Sequence, residues 1–239
     1  MLRRHLATWG GALRDLVYPP QCLSCLAPLE ELGPVRFCPL CVEGIEPFSE
    51  PLCERCGAPR GHQLPDNRSC SHCRHLRFRF DRAVALGEYN GLLRQLVLQT
   101  KRPTGELAAL GLARMLMERH GKSLREERVD LVCPVPSHWR RRLVRRAAGP
   151  DLIGEVVAQQ LGAPLVTTLV RRARSTTPQF QVPVSRRKSN VRRAFTLRWG
   201  HTLQSAHVLL VDDILTTGST CGEIARVLKR AGAARVVVA

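Results

Sequence analysis

Residues 206–221, Ala-His-Val-Leu-Leu-Val-Asp-Asp-Ile-Leu-Thr-Thr-Gly-Ser-Thr-Cys, carry the clearest chemistry in the chain. An apolar run, Val208 to Val211, stops at two adjacent carboxylates, Asp212 and Asp213. A hydroxyl-rich turn follows: Thr216, Thr217, Gly218, Ser219 and Thr220. Ile224, Val227 and Leu228 then recur at helical spacing. This order predicts strand, loop and helix, with the acids at the carboxyl end of the strand, where open α/β sheets bind ligands. Loop amides and the N-terminus of the helix make a site for an anion. Gly218 permits a turn that a β-carbon would strain. Two carboxylates beside an anion cradle would repel a bare phosphate. They suit a molecule that brings hydroxyl donors or Mg²⁺ next to its phosphate. A sugar with a 5-phosphate and free 2- and 3-hydroxyls meets both halves.

A second chemistry lies in the N-terminal third. Eight of the ten cysteines form four Cys-x-x-Cys pairs: Cys22/Cys25, Cys38/Cys41, Cys53/Cys56 and Cys70/Cys73, with gaps of 12, 11 and 13 residues. Each pair can form a knuckle that presents two thiolates, and two knuckles complete a tetrahedral shell. Four evenly spaced pairs therefore predict two structural zinc ions rather than a redox centre. The short gaps favour sequential ribbons, although first-with-third and second-with-fourth pairing is the other arrangement. Gly57, directly after Cys56, suits a knuckle. His62, His72 and His75 are nearby, but the thiolate sets are complete without them. Cys133 and Cys221 stand alone in apolar or small-residue surroundings and read as packed thiols.

The elements that must position these groups follow from periodicity. Ala83–Gly87 reads as a strand. Leu92, Leu93, Leu96 and Val97 mark one face of a helix. Lys101–Glu106 is a loop, and 107–119 a second helix. Val129–Pro136 is a buried strand that two prolines bring to an end, and Arg140, Arg141, Arg142, Arg145 and Arg146 follow at once. Residues 151–161 form a helix, 165–170 a short strand, 219–231 a helix and 236–238 a last strand. Residues 171–195 are polar and arginine-rich, the composition of a lid. Strands alternating with helices predict an α/β fold on a parallel sheet. Three regions result: a basic helix at 1–19, a double zinc-ribbon module at 20–78, and the α/β domain at 79–239.

The formal charge is +17. Residues 140–200 hold 14 Lys or Arg against two acids. A field this strong favours polyanions or phosphorylated ligands, and an ordinary solvated surface is the alternative for any single arginine. No stretch approaches the roughly 18 apolar residues of a membrane span. No secretory signal is apparent at the start, and the cysteine usage suits a reducing cytoplasm.

The string at 206–221 closely resembles the phosphoribosyl pyrophosphate (PRPP) motif of type I phosphoribosyltransferases. That resemblance implies that Asp212 and Asp213 meet the ribose and that Thr216, Thr217, Gly218, Ser219 and Thr220 hold the 5-phosphate. Across nearly the whole chain, the order of a multi-cysteine module, Cys133-Pro134-Val135-Pro136 with arginines behind it, and the motif resembles the ComF family (ComFC/GntX-like proteins). Residues 187–195, Arg-Lys-Ser-Asn-Val-Arg-Arg-Ala-Phe, are similar to its R-x-x-N-V-x-x-A-F segment. Lys101 with Gly105-Glu106 is similar to its K-x-x-x-G-D/E segment. Where family members often carry R-G-F-N-Q, this chain has Arg146-Ala147-Ala148-Gly149-Pro150 and lacks those Asn and Gln side chains.

The resemblance implies a parallel sheet of type I phosphoribosyltransferase type behind a small zinc-ribbon domain. It also implies PRPP as ligand and a role in DNA uptake (competence) or carbohydrate use. A transferase reaction would be displacement at the anomeric carbon. Mg²⁺ would neutralise the leaving pyrophosphate, with help from Lys101 or Arg141. A non-catalytic accessory protein that binds single-stranded DNA on the same fold is the rival reading, and the DNA-uptake machinery would then be its partner.

Few large apolar residues lie between Cys22 and Cys73, so metal should supply most of that module's folding free energy. A strong chelator is expected to unfold residues 20–75. Native amide-exchange protection there in verified metal-free protein would contradict this.

Overall fold

The computed structural model describes residues 19–29, 37–45, 48, 51–60, 70–136, 149–198 and 202–239, apart from the side chain of Phe180. The helix expected before residue 19, His62 and the arginines at 140–146 lie outside these residues.

Short aliphatic runs form the sheet. Strands β1 (Arg82–Ala83), β2 (Leu131–Pro134), β5 (His207–Val211) and β6 (Arg235–Val238) pair in parallel in the order β1-β6-β5-β2. A single parallel bridge, Val132 to Leu165, continues the sheet past β2. β1 is shorter than its sequence suggested, although the Val84 amide still donates to Val238 O at 2.9 Å. The described helices are α1 (Pro39–Glu43), α2 (Gly91–Gln99), α3 (Glu106–Glu126), α4 (Gly149–Leu161), α5 (Arg187–Val191) and α6 (Ser219–Arg230).

Strand side chains alternate between faces, and both faces are buried. Val132, Leu209, Val211 and Val237 meet α3 and α4 through Ala109, Ala113, Leu116, Ile153 and Val157. Cys133, Val208, Leu210, Val236 and Val238 meet α6 through Cys221, Ile224, Ala225 and Leu228. Burial on both sides explains why the strands read as unbroken apolar runs. Each fully buried Val or Leu contributes about 1.5–3 kcal/mol.

The polar stretch 171–195 has more internal structure than its sequence announced. β3 (Val170–Arg172) and β4 (Phe195–Leu197) pair antiparallel, and two 3₁₀ turns and α5 lie between them. Arg174 donates to Asn190 O at 2.8 Å and Arg192 O at 2.7 Å, and Asn190 Nδ2 donates to Thr177 O at 2.8 Å. These polar bonds add to apolar packing, because Val191, Ala194 and Phe195 are buried in the core on the α6 side of the sheet.

The two ribbons are repeats of one unit. Gln21 bridges Pro28 in one, and Leu52 bridges Pro59 in the other. The knuckle turn uses Leu26 (φ 62) in the first and Gly57 (φ 72) in the second. The second stands against the sheet: a β-carbon at Gly57 would lie 2.9 Å from Ala83 O, so glycine is what lets the knuckle sit on β1. The first ribbon packs on α2 and α3, where Cys22, Phe37 and Ile45 share a core with Leu96, Leu112 and Met115. Arg119 of α3 donates to both Ile45 O and Leu86 O.

Acids hold the amino ends of the strands. Glu127, 8% exposed, accepts from Arg82 at 2.8 Å and from Arg235. Asp81 accepts from Lys229 and from the Val236 amide, and Asp130 from the His207 amide. Burial pushes the Glu127 carboxyl up, but the hydrogen bonds from Arg235 and Arg82 outweigh it and hold it below the usual glutamate range. A depressed carboxyl pKa stabilises the fold above the unfolded value, about 4.3, and that contribution is lost as pH falls below it. Glu127→Gln is expected to cost about 2–4 kcal/mol near neutral pH. The loss should shrink below about pH 4 in denaturant melts; an unchanged midpoint at pH 7 would refute it.

Candidate functional site

β5 ends between two neighbours, and its last residues turn into the motif loop. The Val135 amide donates to Val211 O at 2.8 Å, and the Asp212 amide to Ala239 O at 3.0 Å. These bonds seat Asp212 and Asp213 at the carboxyl edge of the sheet. Asp212 Oδ1 accepts from the Asp213 amide at 3.0 Å, and its Oδ2 lies 3.5 Å from the Cys221 thiol. Asp213 pairs with Lys101 Nζ at 2.9 Å. Sequence separation of 112 residues notwithstanding, Lys101 therefore stands in the same cluster as the acids.

Burial raises the Asp212 carboxyl to about 8, and repulsion from Asp213 adds to the rise. At neutral pH Asp212 thus holds a proton while Asp213 is matched by Lys101. The Cys221 thiol is pushed well above its ordinary range by burial and then by Asp212. Burial likewise lifts Cys133 to about 12. Both thiols are neutral packed groups.

The loop then turns through Gly218, whose φ of 64° places it in the left-handed region at the N-cap of α6. Among the described residues no side chain caps this helix, which leaves its first amide donors to ligand or water. Thr217 Oγ1 and Ser219 Oγ lie 2.8 Å apart, Thr216 is exposed, and Thr220 Oγ1 accepts from Gln179 Nε2 at 3.4 Å. Gln179 belongs to the 171–195 segment, so that segment reaches the loop. Arg141 lies outside the described residues.

Sequence reasoning missed the aromatic floor of this loop. Phe78 and Phe80 stack with centroids 4.5 Å apart at 18°. A β-carbon on Gly218 would lie 2.7 Å from the Phe78 ring. Phe78 also packs on Cys53, Cys70 and Cys73, and the Arg55 guanidinium sits 5.3 Å from its ring centroid. The alternation Arg77-Phe78-Arg79-Phe80 was the available signal: a two-residue period with rings on one side.

The eight paired cysteines gather as Cys22, Cys25, Cys38, Cys41 and as Cys53, Cys56, Cys70, Cys73, with the sulfurs of each group within 4.8 Å of one another. Ribbons are therefore sequential. Sγ–Sγ separations are 3.6 Å (Cys25–Cys38), 3.7 Å (Cys53–Cys73) and 3.5 Å (Cys56–Cys70). A tetrahedron with Zn–S bonds of about 2.3 Å has edges of about 3.8 Å, so both groups fit zinc. Burial pushes the Cys22 thiol up, but the amides of Cys25, Cys38 and Ser24 outweigh it and bring it to about 6. Cys53 is lowered in the same way, so each group has one sulfur disposed to ionise first.

A double zinc ribbon domain model matches residues 13–74, and a phosphoribosyl transferase domain model matches residues 152–239. DNA utilization protein YhgH of Salmonella typhi is 34% identical over 228 residues, 93% of this chain and 96% of its own length. Competence protein F of Haemophilus influenzae is 27% identical over 91% of this chain and 94% of its own length. The glutamine PRPP amidotransferase of B. subtilis, solved with ADP and GMP, aligns at 24% identity with a TM-score of 0.37, over 59% of this chain and 30% of that one. No helix among the described residues is long and apolar enough to cross a membrane. With relatives alike from end to end and the two domains in this order, the chain belongs to the ComF family, whose members join a double zinc ribbon to a phosphoribosyltransferase domain.

Proposed function

We propose that the chain binds phosphoribosyl pyrophosphate at the carboxyl end of β5, as a phosphoribosyltransferase-like component of DNA uptake or use. The observation that carries this reading is the cluster of Asp212, Asp213 and Lys101 beside the uncapped N-terminus of α6. The names of the relatives, DNA utilization protein and competence protein, support the setting.

Each residue then has a task. Hydroxyls and amides from Thr216 to Thr220 take the 5-phosphate, with the helix N-terminus favouring its charge. Asp212 and Asp213 accept from the ribose hydroxyls and stabilise positive charge on the ring during displacement at the anomeric carbon. Lys101 leaves Asp213 for the diphosphate, with Arg141 as a second cation for it. An external acceptor supplies the nucleophile, which is why the neutral Cys133 and Cys221 need no catalytic part. Mg²⁺, when bound, neutralises the leaving diphosphate. In the free protein Asp213 is matched by Lys101 and Asp212 is shifted toward its protonated form, so neither acid offers an unmatched charge to a cation before the diphosphate arrives.

A second reading has its own observation. Arg55, Arg77, Arg79 and Lys188 line a cleft of about 490 Å³ between the second ribbon and α5, with Phe78 at its floor. Four cations and one ring in the lining of one cleft suit the phosphates and bases of a single strand of nucleic acid. Both ligands can act on one molecule at separate sites.

Titration calorimetry of the zinc-loaded protein with PRPP and Mg²⁺ should give saturable binding. Asp212→Asn combined with Asp213→Asn should weaken it by about 100-fold or more, since two charged acceptors at about 1.5–3 kcal/mol each sum to about 3–6 kcal/mol. Oligonucleotide binding should survive that double substitution. Joint loss of both in a folded variant would argue against separate sites, and no PRPP binding by the wild type would sink the first reading.

Asp212 also sets a pH dependence. Hydroxyl donors favour its ionised form, so binding must release its proton. Affinity is expected to rise between pH 6 and 8, by at most about tenfold per unit, and to level off above about 8. A flat profile would mean that Asp212 does not take the ligand's hydroxyls.

A further inference from the structure

The two ribbons share one sequence pattern, Cys-x-x-Cys-x-Ala-Pro at 22–28 and 53–59, so each position in one is a control for the other. Their sulfurs are equally close: 3.6 Å for Cys25–Cys38 and 3.5 Å for Cys56–Cys70. Their access to solvent differs. Cys53, Cys70 and Cys73 are buried and Cys56 is half-buried, whereas Cys25 is exposed beside the buried Cys22, Cys38 and Cys41. The next residue repeats the contrast. Leu26 is 67% exposed, while its counterpart Gly57 is buried against Ala83 of β1. Leu40, just before Cys41, is 78% exposed. One edge of the first sulfur set therefore faces solvent, and the matching edge of the second faces the sheet.

Exposure matters because a sulfur that coordinates a cation is a thiolate whatever its free pKa, and the thiolate is the form that oxidants attack. Of the eight paired sulfurs, that of Cys25 combines this charge with an exposed position. With a peroxide as oxidant the chemistry closes in two steps. The Cys25 thiolate attacks one peroxide oxygen, the O–O bond breaks, hydroxide leaves and Cys25 becomes a sulfenic acid. The Cys38 thiolate then attacks the Cys25 sulfur, an S–S bond forms, the S–O bond breaks and a second hydroxide leaves. The two sulfurs give up two electrons, the peroxide takes them, and two protons from solvent turn the hydroxides into water. Cys22 and Cys41 alone cannot complete a tetrahedral shell.

We propose that the first ribbon is an oxidation site, with Cys25 as the point of attack, and that peroxide releases its zinc while the second ribbon keeps its own. The release reaches the α/β domain, because the first ribbon shares its core with Leu96 of α2 and with Leu112 and Met115 of α3. A β-carbon on Gly111 of α3 would lie 2.8 Å from the Phe37 ring, which shows how closely the two are fitted. A ribbon without its ion loses its fold, so the covered faces of α2 and α3 open to water. This proposal is independent of the PRPP reading.

The test treats full-length protein carrying two zinc ions with hydrogen peroxide and follows zinc release with a metallochromic dye, against dye alone. One equivalent is expected to leave at least tenfold faster than the other. Peptide mapping when half the zinc is free should find a Cys25–Cys38 disulfide and none within Cys53, Cys56, Cys70 and Cys73. Hydrogen exchange at that point should rise across α2 and the first half of α3, with β5 still protected. Cys25→His keeps four donor groups and replaces the reactive sulfur, so its fast phase should slow at least tenfold. If that variant holds a single zinc, iodoacetamide on the wild type decides: Cys25 should be labelled at least tenfold faster than any other paired cysteine. Equal release of both ions, a first disulfide in the second ribbon, an unchanged fast phase in a fully loaded Cys25→His protein, or equal labelling would each overturn the oxidation site. Unchanged exchange in α2 would overturn its reach into the α/β domain.

Discussion

The site depends on burying β5 from both sides. Val208, Leu209, Leu210 and Val211 are each 1% exposed or less, and their side chains alternate between the α6 face and the α3–α4 face. A strand so enclosed has no freedom to slip, because a one-residue shift would exchange every contact between two different cores. The end of the strand is therefore a fixed point. The first residues past it, Asp212 and Asp213, stand where three parallel strands finish together, and the loop and helix behind them inherit that position.

Acidic side chains are scarce in this basic chain, and the described fold places them at both edges of the sheet for different ends. At the amino edge Glu127, Asp81 and Asp130 are matched by Arg82, Arg235, Lys229 and backbone amides, and they tie strand starts together. At the carboxyl edge the match is incomplete. Asp213 has Lys101, whereas among the described residues Asp212 has an amide and a thiol, and repulsion from its neighbour adds to the effect of burial. Satisfied acids at one edge stabilise the fold, while a strained acid at the other is poised to exchange its proton for a ligand.

The second zinc ribbon is more than an appended module. Its knuckle glycine sits on β1, Phe78 just behind it stacks with Phe80 beneath Gly218, and its surface closes a chamber that opens on the acid pair. The first ribbon, by contrast, shares its core with α2 and α3. Two copies of one small unit thus serve distinct purposes, set by what each is packed against. The fit of four sulfurs to one ion explains why such small units hold their shape with little apolar core of their own.

Much of this was legible in the residues. Continuous Val and Leu runs separated by helical periods specify a doubly covered parallel sheet, because only such a sheet buries both strand faces. Four Cys-x-x-Cys pairs specify two tetrahedral sulfur sets, and the repeated Cys-x-x-Cys-x-Ala-Pro at 22–28 and 53–59 shows the ribbon duplication, although that second repeat is easily passed over. The strand, acid pair and glycine turn of 206–221 follow from local pattern alone. Other features came only with tertiary structure. Lys101 meets Asp213 across more than a hundred residues, Phe78 reaches Gly218 across 140, and the order within 171–195 draws on arginine and asparagine side chains bonded to distant carbonyls. Periodicity reports which face of an element is buried, so it captures sheets, helices and repeats. It carries no information about which buried faces meet, and charge pairs, interdomain walls and the proton on Asp212 are properties of those meetings.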